Sequence, residues 1–207
     1  DCLLSRGLGD VYKRQVSYRN DGEAPRSRSG SYALGAAEWR DVDAAVSYAL
    51  RHGAERVILM GWSMGGAVAL QTALNSGNRD RIAGLILESP VIDWRSVLRF
   101  QARAAGMRAP LPDLAMSALS VPLTARLSGA ENAISFDSLD IVARADELKV
   151  PILILHSDDD GFVPADASHA LQQARPDLVT MPAFSGARHT KICLLYTSPS
   201  PRDKRQS

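Results

Sequence analysis

The chain has 207 residues, and its 24 lysine and arginine side chains nearly balance its 23 aspartate and glutamate side chains. No apolar run approaches the roughly 20 residues that a membrane-spanning helix needs. No basic surplus points to nucleic acid or to an anionic membrane as a partner. Length and composition therefore favour a single globular domain, since no internal repeat or second domain is apparent.

The two ends of the chain differ in character from the rest. Residues 5–15, SRGLGDVYKRQ, and residues 193–203, CLLYTSPSPRD, resemble translations of one transposase sequencing adapter read in its two orientations. We therefore expect residues 1–15 and 193–207 to be adapter-derived tails, and residues 16–192 to be a truncated natural domain.

Excluding these tails changes the composition of the chain. Residues 16–192 carry 18 basic and 20 acidic side chains, and both cysteines, Cys2 and Cys193, lie outside them. Neither a disulfide framework nor a thiol nucleophile is then available. We expect a cytoplasmic protein, with secretion an open alternative because the natural start is not part of the chain.

The first natural segment predicts a strand end, a loop and a helix. Residues 16–19 resemble the end of a strand, and residues 20–31 are polar and rich in Gly, Pro and Ser. Residues 36–52 show helical apolar spacing, with acidic residues early and a basic residue late, as the helix dipole prefers. Gly53 then ends this helix.

The next stretch, residues 56–77, reads RVILMGWSMGGAVALQTALNSG. Residues 56–60 are apolar and partly β-branched, as expected for a strand buried on both faces, and residues 67–74 are rich in Ala and Leu. Ser63 therefore lies in the turn between a strand and a helix. Its hydroxyl must point out of that turn, which requires a strained backbone.

The residues around this serine must be small so that strand and helix can approach closely, and Gly61 and Gly65 meet that need, while Gly66 adds room. The pattern resembles the nucleophile elbow of the α/β-hydrolase superfamily. The other interpretation is a glycine-rich turn that only allows close packing. The resemblance implies that Ser63 is a nucleophile and that the backbone N–H of Met64 contributes to an oxyanion hole.

The rest of the chain alternates between strands and helices. Residues 85–87 predict a buried strand, Pro151 begins another that His156 ends before an acidic loop, residues 165–175 predict a helix and residues 178–181 a last strand. This order predicts an α/β fold with a mostly parallel sheet and helices on both faces, corresponding to the C-terminal part of an α/β-hydrolase fold.

Residues 95–146 interrupt this alternation. They are rich in Arg and Ala, contain three prolines and predict several short helices. By resemblance to the family they form a cap insertion over the active site. The alternative is an ordinary crossover helix with additions.

A serine nucleophile needs a histidine as base and a carboxylate that orients it, and the family places them in the chain order serine, acid, histidine. His189 follows the last strand and is the predicted base. His52 and His169 are interpreted as surface residues, and His156 as structural because it precedes the acidic loop.

The acidic loop offers three aspartates. The family places the acid four residues before the proline that opens the next helix, which here is Pro164, and this rule selects Asp160. Asp159 is the second choice, and Asp158 is expected to bond the loop backbone. Some members of the family carry the acid one strand earlier, which would select Asp93.

The resemblance implies a serine hydrolase of carboxylic esters, similar to the esterase and lysophospholipase branch, that needs no metal and no cofactor. A serine peptidase of the prolyl-oligopeptidase or aminopeptidase type uses the same triad, and the superfamily also contains non-catalytic ligand-binding proteins. The expected partner is a small acyl ester or a short peptide.

The family's strand order, 1-2-4-3-5-6-7-8, implies that the chain keeps strands five to eight and a remnant of strand four. The strand before Ser63 should then form an exposed apolar edge that is prone to aggregation. The second oxyanion donor should lie on a loop that the chain lacks. We therefore expect the 207-residue chain to be inactive or poorly folded, and the intact natural protein to be active.

Overall fold

The structure, a computed structural model, describes residues 13–183 and residue 189. These residues form four strands and seven α-helices. The strands are β1 (Val57–Trp62), β2 (Ile82–Glu88), β3 (Ile152–Leu155) and β4 (Val179–Thr180). The helices are α1 (Trp39–Arg51), α2 (Met64–Asn75), α3 (Trp94–Ala104), α4 (Leu111–Ser120), α5 (Pro122–Leu127), α6 (Phe136–Leu139) and α7 (Asp166–Ala174).

The four strands form one parallel sheet in the order β1-β2-β3-β4, which confirms the predicted fold class. At their carboxyl ends, Trp62 pairs with Glu88, and Glu88 pairs with Leu155. The loops that follow β1, β2 and β3 therefore leave the sheet side by side at one edge, where ligands bind in open parallel sheets.

The predicted strand remnant at residues 16–19 is wrong, because this segment has no strand conformation and pairs with no strand of the described chain. The backbone N–H of Arg19 donates instead to the Asp41 carboxylate at 2.9 Å, and its guanidinium binds the same carboxylate at 2.8 Å. Arg19 is thereby attached to helix α1 rather than to the sheet.

The main core lies between the sheet and two helices. Leu70 and Leu74 of α2 and Leu171 of α7 join one buried cluster with side chains from β2, β3 and β4. The prediction placed helices on both faces of the sheet. Within residues 13–183, α2 and α7 both contribute to this same cluster, while Ile86 and Leu153 border an open hollow of about 350 Å³.

Strand β1 is an edge strand among the described residues, as predicted. Ile58 is 62% exposed, and a groove of about 900 Å³ runs beside β1 and helix α1. Such an edge presents unpaired backbone groups that can template pairing with another chain. Aggregation through it stays a prediction.

The predicted insertion, residues 95–146, contains the short helices α3 to α6 and a 3₁₀ turn, joined by loops. Met116 of α4 packs with Ile134, Phe136 and Leu139 in a small separate cluster. Its function as a cap stays a prediction. No helix in the described part of the chain is both long and apolar enough to cross a bilayer.

Candidate active site

Ser63 occupies the turn between β1 and α2 with a strained backbone, at φ 49° and ψ −118°. Positive φ is uncommon for residues other than glycine and costs free energy, so the surrounding structure must hold it in place. Its carbonyl accepts hydrogen bonds from the N–H groups of Gly66, Ala67 and Val91, and its own N–H donates to the Glu88 carbonyl. These four bonds fix the turn to both neighbouring elements.

The hydroxyl of Ser63 does not cap the helix that it precedes. A serine at this position usually accepts a hydrogen bond from an N–H of the first helical turn, and Ser63 makes no such bond. The N–H of Met64 likewise has no acceptor among the described residues. Both groups are therefore available to a ligand, which is what a nucleophile and an oxyanion donor require.

A side chain would be too large at Gly61 and at Gly66, but not at Gly65. A Cβ on Gly61 would collide with the backbone of Gly65, and a Cβ on Gly66 would lie 2.6 Å from the Cβ of Pro90. A Cβ on Gly65 would meet nothing within 4 Å. The predicted requirement for a small residue at position 65 therefore does not come from packing, because a Cβ there would point into open space.

We expect Gly66→Ala to destabilise the protein by about 1–3 kcal/mol, because the added methyl group overpacks against Pro90. Gly65→Ala is the matched control: it lies one residue away in the same helical turn and should be neutral or stabilising by up to about 1 kcal/mol. Urea denaturation of both variants measures the difference. Equal midpoints would contradict this account of the elbow.

Asp160 lies in the loop after β3, and its side chain is fully buried. Its Oδ1 accepts the N–H groups of Phe162 at 2.9 Å and Val163 at 3.0 Å, and its Oδ2 lies 2.8 Å from Nδ1 of His189. The loop therefore orients one carboxylate oxygen with its own backbone and leaves the other for the imidazole.

His189 is half-buried and lies against Phe162, with ring centroids 5.1 Å apart. A carboxylate can only accept, so Nδ1 carries the hydrogen that binds Asp160. Nε2 then has a lone pair when the ring is neutral. This is the tautomer that a general base in a serine hydrolase requires.

The acidic loop that carries Asp160 packs against the helix that follows Ser63. Ala67 of α2 and Val163 of the acidic loop belong to one buried cluster together with Val91. Among the described residues, Ser63 and His189 make no direct hydrogen bond. Bonds of this kind are often long before substrate binds, so the arrangement is compatible with a triad that closes on the substrate.

Burial alone would raise the pKa of the Asp160 carboxyl, but the hydrogen bonds from Val163, His189 and Phe162 outweigh it and lower the pKa below its usual value. Ser89 also lowers this pKa, although its buried hydroxyl makes no hydrogen bond of ordinary geometry within the described chain. We therefore regard Ser89 as a neighbouring dipole. The acid stays ionised, as an orienting carboxylate must.

Two of the competing aspartates bind other partners with their carboxylates. Asp158 lies 2.7 Å from the imidazole of His169, on an exposed surface. Asp93 accepts the N–H groups of Arg95 and Ser96 and so caps helix α3. The N–H of Asp159 donates to the hydroxyl of Ser157. Asp160 is therefore the aspartate that we assign to His189.

The other three histidines form their contacts with residues other than Ser63. His52 follows α1 and stacks on Tyr48, with ring centroids 3.8 Å apart. His156 is fully buried: Nε2 lies 3.0 Å from the Val163 carbonyl and Nδ1 lies 2.8 Å from the Ser168 hydroxyl. A carbonyl cannot donate, so Nε2 carries the hydrogen. His156 thus holds the backbone of the acidic loop through its hydrogen bond to Val163.

Burial lowers the pKa of His156 below its ordinary value of 6.5, and it outweighs the opposing effects of Val163 and Asp160. The unfolded chain therefore takes up a proton that the native state resists, and stability falls as the pH decreases through the ordinary value. We expect a lower free energy of unfolding at about pH 5 than at about pH 7. His156→Gln, which keeps a donor for Val163 but cannot titrate, should reduce this difference; an unchanged pH dependence would contradict the assignment.

Sequence reasoning missed a pair of residues beside the serine. The indole Nε1 of Trp62 donates to the buried Glu88 carboxylate at 2.8 Å. This bond joins the residue before Ser63 to the carboxyl end of β2. An acidic residue at the end of an apolar strand was the available signal, since carboxylates are seldom buried without partners.

Among the described residues, no group of three or more His, Cys, Asp or Glu side chains could hold a metal ion.

A family model described as Alpha/beta hydrolase family matches residues 3–202. Curated protein sequences include no significant match to the chain.

Solved structures of several hydrolases resemble the chain. A lipase-esterase related protein from Clostridium acetobutylicum ATCC 824 is 12% identical, with 86% of this chain and 76% of that chain covered and a TM-score of 0.58. An acylaminoacyl peptidase from Pyrococcus horikoshii is 20% identical, with 83% and 26% covered and a TM-score of 0.54. A monoacylglycerol lipase from Paleococcus ferrophilus is 20% identical, with 83% and 72% covered and a TM-score of 0.51. At these identities the likeness concerns the fold, and the chain spans only about a quarter of the peptidase.

Proposed function

The chain belongs to the α/β-hydrolase family, and from this premise we propose that its natural protein is a serine hydrolase that cleaves carboxylic esters through an acyl-enzyme on Ser63. The main support is the hydrogen bond of 2.8 Å between His189 and the buried Asp160, at the sheet edge where Ser63 leaves β1. An imidazole oriented by a buried carboxylate, at the same sheet edge as a serine whose hydroxyl caps no helix, is the arrangement that activates a weak oxygen nucleophile.

In the proposed mechanism, Nε2 of His189 takes the proton of the Ser63 hydroxyl as its oxygen attacks the acyl carbon. The N–H of Met64 donates a hydrogen bond to the resulting oxyanion. His189 then protonates the leaving alcohol, and the C–O bond to it breaks. Water repeats these steps on the acyl-enzyme and releases the acid.

Asp160 supports this cycle without changing its own protonation state. Its carboxylate holds Nδ1–H of His189 and stabilises the imidazolium that forms when the base takes a proton. Because the pKa of Asp160 lies below its usual value, the carboxylate stays charged at neutral pH.

A serine peptidase is the second candidate, because acylaminoacyl peptidase and puromycin-hydrolysing peptidase structures share the fold. The triad serves both reactions. The pocket that receives the acyl or amino-acid group would separate them.

The test compares p-nitrophenyl acyl esters with aminoacyl anilides as substrates of the natural protein, meaning the complete gene product that contains residues 16–192. We expect turnover of the esters and labelling of Ser63 by a fluorophosphonate. Preferred turnover of anilides would favour the peptidase, and an unlabelled Ser63 in a folded protein would favour a non-catalytic ligand-binding protein.

A further inference from the structure

Helices α4 and α5 expose an unusual amount of apolar surface. Leu123 is 70% exposed and Leu127 is 80% exposed, and both lie on α5, one helical turn apart. Other large apolar residues exposed in the same region are Met107, Leu111, Leu114 and Val121. We call residues 107–127 the helical patch. Large apolar side chains gathered in this way usually mark a surface that contacts a partner or a membrane.

Helix α4 is apolar on two opposite sides. Its inward side carries the buried Met116 and the partly buried Leu119, which pack in the small cluster. Leu111, Leu114 and Ala118 follow the spacing of a second helical face, and all three are exposed. The small cluster therefore accounts for one side of α4 and leaves the other side without a packing function.

The charged side chains around the helical patch are mostly positive. Residues 94–127 contain five arginines and one aspartate, and no lysine or glutamate. Arg95 pairs with Asp137 and Arg99 with Asp113. Within the described chain, Arg103, Arg108 and Arg126 make no ion pair, and all three are exposed. The arginines that remain available thus flank or interrupt the exposed leucines.

From this combination we propose that the helical patch docks on a lipid surface that carries anionic headgroups. Leucine side chains would enter the boundary between headgroups and acyl chains, and the arginines would bind the phosphates above them. A second copy of the chain fits less well, because two such surfaces would bring like charges together. This surface does not depend on the proposed catalysis, so either proposal can fail without the other.

Overall composition gave no sign of this partner, because residues 16–192 carry slightly more acidic than basic side chains. The arginines, however, outnumber the acidic residues in the segment around the helical patch, residues 94–127. A local excess of arginine next to apolar side chains attracts a surface even when the net charge of the whole protein is near zero.

The experiment measures co-sedimentation of the folded, monomeric fraction of the 207-residue chain, isolated by size-exclusion chromatography and checked by circular dichroism. The vesicles are of phosphatidylcholine, or of phosphatidylcholine mixed with phosphatidylglycerol, and a vesicle-free sample corrects for aggregated protein. We expect stronger binding to the mixed vesicles, weakened by added salt. The double variant Leu123→Ser with Leu127→Ser should lower the partition coefficient about tenfold or more, because two apolar side chains no longer leave water. Arg108→Gln with Arg126→Gln should lower it by a similar factor on the mixed vesicles.

Two matched controls remove the same chemistry elsewhere. Ile58→Ser takes away one exposed apolar side chain at the edge of the sheet, and Arg26→Gln with Arg28→Gln removes two exposed positive charges from the loop before α1. Neither should change vesicle binding. All substituted side chains are exposed, so thermal melting should confirm that each variant folds like the parent chain.

Three results would overturn the proposal. The mixed vesicles could fail to bind the chain. The Arg26 and Arg28 control could weaken binding as much as the Arg108 and Arg126 variant, which would indicate nonspecific attraction, including that of the basic tails. Finally, size-exclusion chromatography could show self-association that the two leucine substitutions abolish, without vesicle binding, which would identify the helical patch as a contact between copies.

Discussion

Replacing Ser63 with alanine is expected to reduce ester hydrolysis by the natural protein on the order of 10⁵-fold or more, since no other group can form the acyl-enzyme. The fold should persist, because the hydroxyl of Ser63 caps no helix and the bonds that fix the turn come from its backbone. Alanine must still adopt the positive φ of position 63. The rate constant with a p-nitrophenyl ester, and fluorophosphonate labelling followed by peptide mass analysis, measure the effect.

Ser89 provides the matched control for this substitution. It also has a positive φ, of 46°, and it is buried at the end of the neighbouring strand β2. Ser89→Ala should leave fluorophosphonate labelling at Ser63 in place and change activity far less. If Ser63→Ala retained the wild-type rate, the proposed nucleophile would be wrong. If both variants lost activity equally while remaining folded, the loss could not be assigned to the nucleophile.

Replacing Asp160 with asparagine is expected to lower the rate about 10⁴-fold, because an amide at this position no longer holds His189 in the tautomer that accepts a proton. The asparagine oxygen can still accept the N–H groups of Phe162 and Val163, so the loop should keep its conformation. A pH–rate profile separates this effect from loss of folding. The variant should remain slow at every pH at which it is folded.

Replacing each of the other candidate aspartates with asparagine gives the controls for Asp160→Asn. Asp158→Asn and Asp159→Asn alter the same loop and should retain most of the activity. Asp93→Asn keeps an acceptor for the first turn of helix α3 and should also remain active. If Asp159→Asn or Asp93→Asn caused the largest loss in this series, the acid would have to be reassigned.

The parallel sheet explains why the amino-acid sequence alone can predict that distant segments of the chain contribute to one site. Parallel strands place all of their carboxyl ends at one edge of the sheet, so the residues that follow β1 and β3 reach this same edge whatever the length of chain between them. The strand and helix around Ser63 are predicted by local apolar content. Their bounds differ by a few residues because hydrogen bonding continues β1 through Gly61 to Trp62.

Other features were not predictable because they depend on contacts between segments. The need for a small residue at Gly66 arises from Pro90, which lies in the loop after β2. The bond between Trp62 and Glu88 follows from the register of two strands. The strand predicted at residues 16–19 is wrong for a related reason, since a short apolar segment forms a strand only where a neighbouring strand pairs with it.

The sequence by itself determined the parallel α/β sheet and the turn that carries Ser63, because both depend on local patterns of apolar residues and glycines. The order of the three proposed triad residues is what the family resemblance implies. The tertiary structure decided which aspartate reaches His189. Asp158, Asp159 and Asp160 are chemically identical and adjacent, and the rule that selects Asp160 in the sequence comes from the family resemblance. Burial and backbone hydrogen bonding distinguish the three physically. The loop closes its N–H groups on Asp160, which directs that carboxylate inward to the imidazole and leaves Asp158 on the surface.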